Sequence, residues 1–283
     1  MELVLSLFTG AGLLDRGFRE EGFCVVSAGD LITGQDVREF APANHRFDGI
    51  IGGSPCQDFS KARRCPPSGE GLALLVQFAR VICQAEPTWC LLENVPGVPD
   101  LADFITDNGW RFQRFNLTAR ECGLRQNRLR CFQFGARDGS RLLIRRGDTP
   151  EGHIEPCCMA SEGRRPGRRT FADFCERQGL PRDFMAASAL SRTLKYQLVG
   201  NGVPVPMARV VARAICDRTV TKWTQQFCVC DCGRPVHPGQ TLATPACRKR
   251  MQRRRERDAA GVTEPGPVTP SQSQPTFALP LTG

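Results

Sequence analysis

Along the first third of the chain one arrangement recurs. A short apolar run rich in β-formers stops at a turn bearing glycine or an acid, and apolar residues at helical spacing follow. Glu2–Phe8 breaks at Thr9-Gly10-Ala11-Gly12, after which Leu13, Leu14, Gly17 and Phe18 recur at helical spacing. Phe23–Ala28 ends at Gly29-Asp30, and Phe47–Ile51 runs into Gly52-Gly53-Ser54-Pro55. Leu72–Ala85 fits a helix that Pro87 ends, before Trp89–Leu92 leads into Glu93-Asn94. Strands alternating with helices predict an α/β fold with a mostly parallel sheet flanked by helices. In an open sheet of this kind ligands bind beyond the carboxyl ends of the strands. The turns themselves are therefore the candidate site.

Further along, Arg111–Leu117 and Arg130–Phe134 read as two more strands forming an antiparallel edge. Between Arg137 and Arg169 the pattern fails: Gly, Pro, Arg and Glu dominate, so this is an insertion with little core of its own. Helical periodicity returns at Thr170–Gln178 and at Val205–Ile215, the latter announced by Pro204 and Pro206. The expected division is a main domain over 1–136, a short insertion over 137–169 and a return to the main domain over 170–225. A Cys-rich basic module over 226–257 follows, then a disordered Pro/Thr/Ser tail over 258–283.

The 283 residues exceed one typical domain, which suits a large domain with a small appendage. A hydrophobic fraction of 41% excludes wholesale disorder. No stretch reaches the roughly 18 apolar residues of a membrane span, and the apolar start carries Glu2 with no Lys or Arg ahead of it, so neither secretion nor a membrane partner is expected. The 15 cysteines are odd in number, and eleven scatter between Cys24 and Cys216, which points to a reducing, cytoplasmic setting. Net charge is +9, and Arg248–Arg257 concentrates seven basic residues against one acid, with Arg253, Arg254 and Arg255 at its centre. Such a block points to a polyanion, of which nucleic acid is the commonest; a solvated charged helix is the plain alternative.

Four turns carry chemistry. Thr9-Gly10-Ala11-Gly12 lets backbone approach a nucleoside-like ligand, but no G-x-x-G or Gly-Lys-Ser/Thr follows, which disfavours a pyrophosphate. Asp30, at the end of the second strand, stands where an acid accepts from ribose hydroxyls. Cys56 lies in an accessible loop, where thiolate nucleophiles sit, although a cysteine is more often a small buried hydrophobe. Glu93 ends an apolar strand, where a carboxyl costs free energy unless it works or is paired. In Gln126-Asn127-Arg128-Leu129-Arg130 the two arginines face one way along a strand, otherwise an ordinary surface strand. His45, His153 and His237 lie outside all of these, which argues against Cys-His and Ser-His-Asp hydrolases.

Phe8-Thr9-Gly10-Ala11-Gly12, Pro55-Cys56-Gln57, Glu93-Asn94-Val95, Gln126-x-Arg128-x-Arg130 and Gly200-Asn201-Gly202-Val203, in this order, resemble the motif set of the DNA cytosine-5 methyltransferases, over about residues 3–217. The resemblance implies a Rossmann-like sheet that binds S-adenosylmethionine, with a target-recognition insertion before the last two motifs. It implies cofactor contacts from Phe8, Gly10, Gly12, Asp30, Asp36, Pro55, Asn201 and Val203. Cys56 would add to cytosine C6, Glu93 would hydrogen-bond or protonate N3, and Arg128 would hold the base and stabilise developing charge. Because C6 is buried in the stack, the base must be flipped out of double-stranded DNA. Gln57, Ser60 and Arg130 are expected on the DNA side. A monomer is expected, and a cognate restriction endonuclease, the target sequence and a bacterial or viral origin stay open.

Two departures matter. Leu13 stands where relatives usually carry another glycine, and about thirty residues is very short for a recognition insertion, so a short site or relaxed specificity follows. Within it Arg164, Arg165, Arg168 and Arg169 are candidates for phosphate contacts. In the appendage Cys228, Cys230, Cys232 and Cys247, or His237 in place of one, are candidate ligands of a structural zinc. The C-x-C spacing is tighter than usual and Ala243 stands where a distal partner cysteine would be, so free thiols in a flexible tail are the alternative. The rival functions are an RNA (tRNA) cytosine-5 methyltransferase on the same scaffold and a non-catalytic DNA-binding relative. Retention of Cys56, Glu93 and Arg128 argues against the latter.

Overall fold

The computed structural model describes residues 1–60, 65–105, 109–219, 247–249 and 251–252. Six strands form one mixed sheet, and the alternation seen in the sequence explains it. β1 (Leu3–Leu7), β2 (Cys24–Ala28), β3 (Gly49–Gly52) and β4 (Trp89–Asn94) run parallel, and β6 (Leu129–Ala136) lies antiparallel between β4 and β5 (Arg111–Thr118). The spatial order is β2-β1-β3-β4-β6-β5. The helices are α1 (Leu13–Glu20), α2 (Glu70–Ala85), α3 (Phe171–Arg177), α4 (Arg192–Asn201) and α5 (Val205–Cys216).

The strands are apolar on both faces because both faces are covered. Trp89 and Leu91 of β4 join Val4, Phe18, Phe134, Met207 and Val211 in one core under α1 and α5, while Cys90 and Leu92 join Leu5, Leu7, Ile50, Phe78 and Ile82 under α2. Period-two side-chain alternation thus feeds two cores from one strand. Gly49 is required for the first of them, since a Cβ there would lie 2.2 Å from the Trp89 ring.

A third core gathers Leu13, Cys158, Phe174, Leu180, Tyr196, Val199 and Val205. It joins an insertion residue, Cys158, to the returning helices, so the insertion borrows the core it lacks. Helix α4 is unexpected from the sequence, where Lys195, Gln197 and Gly200 break its apolar pattern. The chain divides into two compact units, Met1–Thr221 and Lys222–Gly283. Of the second, the described residues 247–249 and 251–252 are helical. No helix among the described residues is long and apolar enough to cross a membrane.

Candidate functional site

A cleft of about 270 Å³ opens at the carboxyl ends of β1–β4, built from the turns singled out in the sequence. Its first wall is the β1 turn. Phe8 and Gly10 adopt left-handed backbone (φ 54° and 57°), and the Gly10 N–H donates to Asp30 Oδ2 at 2.7 Å. Asp30 Oδ1 also accepts from Ile32 N at 2.8 Å, so this carboxylate fixes two loops at once. Gly12 does not line the cleft. Its backbone is left-handed (φ 73°), and its N–H donates to Thr9 O where α1 starts.

The second wall is Asp36, Val37 and Arg38. Arg38 pairs with Asp36 and with Glu70 at the start of α2, while Arg80 Nη2 donates to Val37 O and Phe40 O and staples the segment to α2. The Asp36 carboxyl lies below its ordinary range, chiefly because the Arg38 backbone N–H donates to it. Asp15 is a wall residue the sequence reading missed. It is fully buried and accepts from Ser6 Oγ and Ser27 Oγ, so an acid on the apolar side of α1 was the available signal.

The reactive end holds Cys56, Glu93 and Arg130. Asn94, 2% exposed, donates through Nδ2 to Ser54 O (2.9 Å) and Ser54 Oγ (3.0 Å) and accepts from Val95 N (2.8 Å), locking the β3 and β4 loops together. Glu93 Oε1 lies 3.0 Å from Arg130 Nε, an ion pair between two largely buried side chains. Burial raises the Glu93 carboxyl, opposed by Arg130 and then Arg128. Burial also raises the Cys56 thiol, with Arg130 pulling it down, Glu93 pushing it up and Arg128 pulling it down. Gly53 makes room here, because a Cβ on it would lie 2.8 Å from Glu93 Oε2.

The two arginines differ from expectation. Arg128 does not line the cleft, and its guanidinium donates to the carbonyls of Cys158, Gly200, Asn201 and Gly202. Desolvation lowers its pKa to about 10, and Arg130 adds to the effect. Arg130, assigned to the DNA side, is the arginine beside Glu93. Sharing a face did not mean sharing an environment.

Pro55, Gln57, Asn201 and Val203 line the cleft; Ser60 lies outside its lining. Arg164 and Arg165 are exposed and Arg168 is half-buried. Arg169 is not free for phosphate: it forms a two-pronged pair with the buried Glu162, donates to Pro156 O and Cys157 O, and lies over the Phe174 ring. Arg253, Arg254, Arg255, Cys228, Cys230, Cys232 and His237 lie outside the described residues; Cys247 is buried. No group of three or more metal-ligating side chains occurs among the described residues.

Residues 29–156 match the family of C-5 cytosine-specific DNA methylases. The chain is 32% identical over 165 residues to the Type II methyltransferase M.HgiDI of Herpetosiphon aurantiacus, covering 48% of this chain and 52% of that protein. It is 31% identical over 163 residues to the Type II methyltransferase M.FnuDI of Fusobacterium nucleatum, covering 47% and 46%. The chain thus spans about half the length of the curated relatives it matches. Its fold is similar to that of the S. pombe Dnmt2 methyltransferase, with a TM-score of 0.56, 11% identity and coverage of 77% of this chain and 99% of that one. The order of strands, the turns that build the cleft and these matches agree, and over residues 29–156 the chain is similar to the C-5 cytosine-specific DNA methylases.

Proposed function

We propose that this chain methylates C5 of cytosine in double-stranded DNA, using S-adenosylmethionine and a covalent bond between Cys56 and C6 of a flipped base. The observation that carries the reading is the convergence of Cys56, Glu93 and Arg130 at one end of a cleft whose other end is a glycine turn and two aspartates.

The wall fits the cofactor. Besides Glu93, four acids, Asp15, Asp30, Asp36 and Glu70, line the cleft, and Arg38 on the same wall is paired with two of them, Asp36 and Glu70. An anionic wall repels a pyrophosphate and suits a cationic nucleoside. The glycine turn presents open space, since a Cβ on Gly10 would meet nothing within 4 Å. Phe8, Gly10, Asp30, Asp36, Pro55, Asn201 and Val203 would hold S-adenosylmethionine. When bound it supplies an electrophilic methyl group on a sulfonium.

The remaining chemistry belongs to the side chains. The Cys56 thiolate adds to C6, and the electron pair displaced towards N3 is met by a proton held on Glu93, leaving C5 nucleophilic. After C5 is alkylated its proton leaves, the C5–C6 double bond re-forms and Cys56 is expelled. A proton on Glu93 serves twice. It is the acid at N3, and while it is there the Glu93 charge no longer opposes ionisation of Cys56. Arg130, rather than Arg128, stands beside the reacting groups: it pairs with Glu93 and favours the thiolate, and the stabilising of developing charge first given to Arg128 falls to it. Exposed Arg164 and Arg165 and half-buried Arg168 supply phosphate contacts.

DNA carrying 5-fluorocytosine tests the reading, because fluorine cannot leave as a proton and elimination stalls. With S-adenosylmethionine the wild-type protein should become covalently linked, and Cys56→Ala should bind cofactor without linking. A Cys56→Ala protein that still methylates at the wild-type rate refutes the assignment, and matched RNA duplexes distinguish the nucleic-acid class. For the appendage, metal analysis of the purified chain separates its two sequence readings: zinc bound by the cysteine cluster, or free thiols beside a basic arm.

A further inference from the structure

Helix α4 ends without the usual left-handed residue. Its cap, Gly202, is extended (φ −63°, ψ 156°), so no Schellman-type bonds satisfy its last carbonyls. Those carbonyls are satisfied from outside the helix. Arg128 Nη2 lies 2.7 Å from Gly200 O, 3.2 Å from Asn201 O and 3.0 Å from Gly202 O, while Gln178 Nε2 donates to Val199 O at 2.8 Å. Arg128 is 5% exposed and has no carboxylate at ion-pair distance among the described residues. Its charge is met by peptide dipoles at the negative end of a helix.

Two further contacts show what this cap holds. Arg128 Nη1 donates to Cys158 O at 2.9 Å, and a Cβ on Gly200 would lie 2.6 Å from Ala160 N, so the insertion backbone lies directly on the helix end. On the other side a Cβ on Gly202 would lie 2.9 Å from Leu13 Cδ2, so the start of α1, directly after the glycine turn of β1, abuts the same residues. Asn201, Gly202 and Val203, which close the cleft, are therefore set between the insertion and the β1 turn.

We infer that Arg128 is a positioning residue that caps α4 and thereby makes the cofactor wall at Asn201–Val203 and the recognition insertion at Cys158–Ala160 hold one another in place. The inference rests on the reading of the cleft as the S-adenosylmethionine site. Ordering of the wall by cofactor is then transmitted to insertion residues that do not line the cleft, before any base arrives.

Full-length wild type, Arg128→Met and Arg128→Lys are compared by calorimetric titration with S-adenosylmethionine, by single-turnover methylation at saturating cofactor, and by amide hydrogen exchange with and without cofactor. Charged hydrogen bonds to buried carbonyls are strong, so Arg128→Met should weaken cofactor binding on the order of tenfold or more while the saturated rate stays within about threefold. Arg128→Lys keeps the charge but not the planar fork, and should fall between the two. Cofactor should slow exchange at Met159–Ala160 in the wild type and not in Arg128→Met. Arg130→Met should show the reverse split, with turnover lost and affinity kept. If Arg128→Met fails to fold, Arg128→Lys and Gly200→Ala, which forces the insertion off the helix end, carry the same expectations. Unchanged affinity with a lost saturated rate would overturn the inference and put Arg128 on the base. Absence of cofactor-dependent protection at Met159–Ala160 in the wild type would also overturn it. A wild-type protein that binds no S-adenosylmethionine would instead sink the cofactor reading beneath it.

Discussion

Replacing Asn94 by alanine removes the tie between the loop that carries Cys56 and the strand end that carries Glu93. Three hydrogen bonds are lost, two donated to Ser54 and one accepted from Val95 N. At about 0.5–1.5 kcal/mol net for each, the loss centres near about 3 kcal/mol. Ser54→Ala provides the internal scale, because it deletes only the bond to Oγ and leaves the carbonyl bond, at about 1 kcal/mol. For a unit of this size, about 3 kcal/mol lowers Tm by roughly 6–12 °C. Urea titration followed by circular dichroism measures both variants against wild type. Covalent trapping on 5-fluorocytosine DNA reads the functional side. A misplacement of about 1 Å costs on the order of 10²-fold in rate, so trapping by Asn94→Ala should slow by about one to two orders of magnitude. Ser54→Ala should remain within about threefold. If Asn94→Ala is no less stable than Ser54→Ala and traps DNA at the wild-type rate, the two loops are positioned by something else.

Glu93→Gln should lower single-turnover methylation by about 10²–10⁴-fold with little change in cofactor affinity, as measured by rapid quench and calorimetry. The Glu93 carboxyl is raised by burial, so the native state holds its proton longer than the unfolded state and stability falls as pH rises from about 4.5 through the raised native value. Glu93→Gln should abolish that fall, and parallel denaturation curves for the two proteins across this window would contradict it. Iodoacetamide labelling of Cys56 in the free protein should have its pH midpoint above the ordinary thiol value of 9.0. Arg130→Met should move it further up and Glu93→Gln should move it down, and the opposite order would reject the electrostatics of the site. Gly53→Ala should push the Glu93 carboxylate away from Arg130, reducing turnover while leaving cofactor binding intact; an unaltered rate would mean that the close approach is not needed.

Much of this protein was decided locally and could be read in the chain. Apolar runs ending in glycine turns at Gly10 and Gly53, or at Glu93-Asn94, specify strands whose loops gather at one sheet edge, because alternation and turn chemistry act over a few residues. Cys56 and Glu93 were legible for the same reason: each directly follows or ends such a run. Distant contacts decided the rest. Spacing of two put Arg128 and Arg130 on one face, but only the fold brings the Gly200–Gly202 carbonyls to the first and Glu93 to the second. Arg169 read as a free cation until Glu162 and Phe174 enclosed it. Helix α4 was hidden because its stability comes from the Tyr196 and Val199 core and from a cap supplied by other segments, not from its own periodicity. A side chain's type and direction are local properties. Whether it faces ligand or carbonyl depends on which backbone the folded chain brings opposite it, and that backbone lies up to 74 residues away in sequence for Arg128.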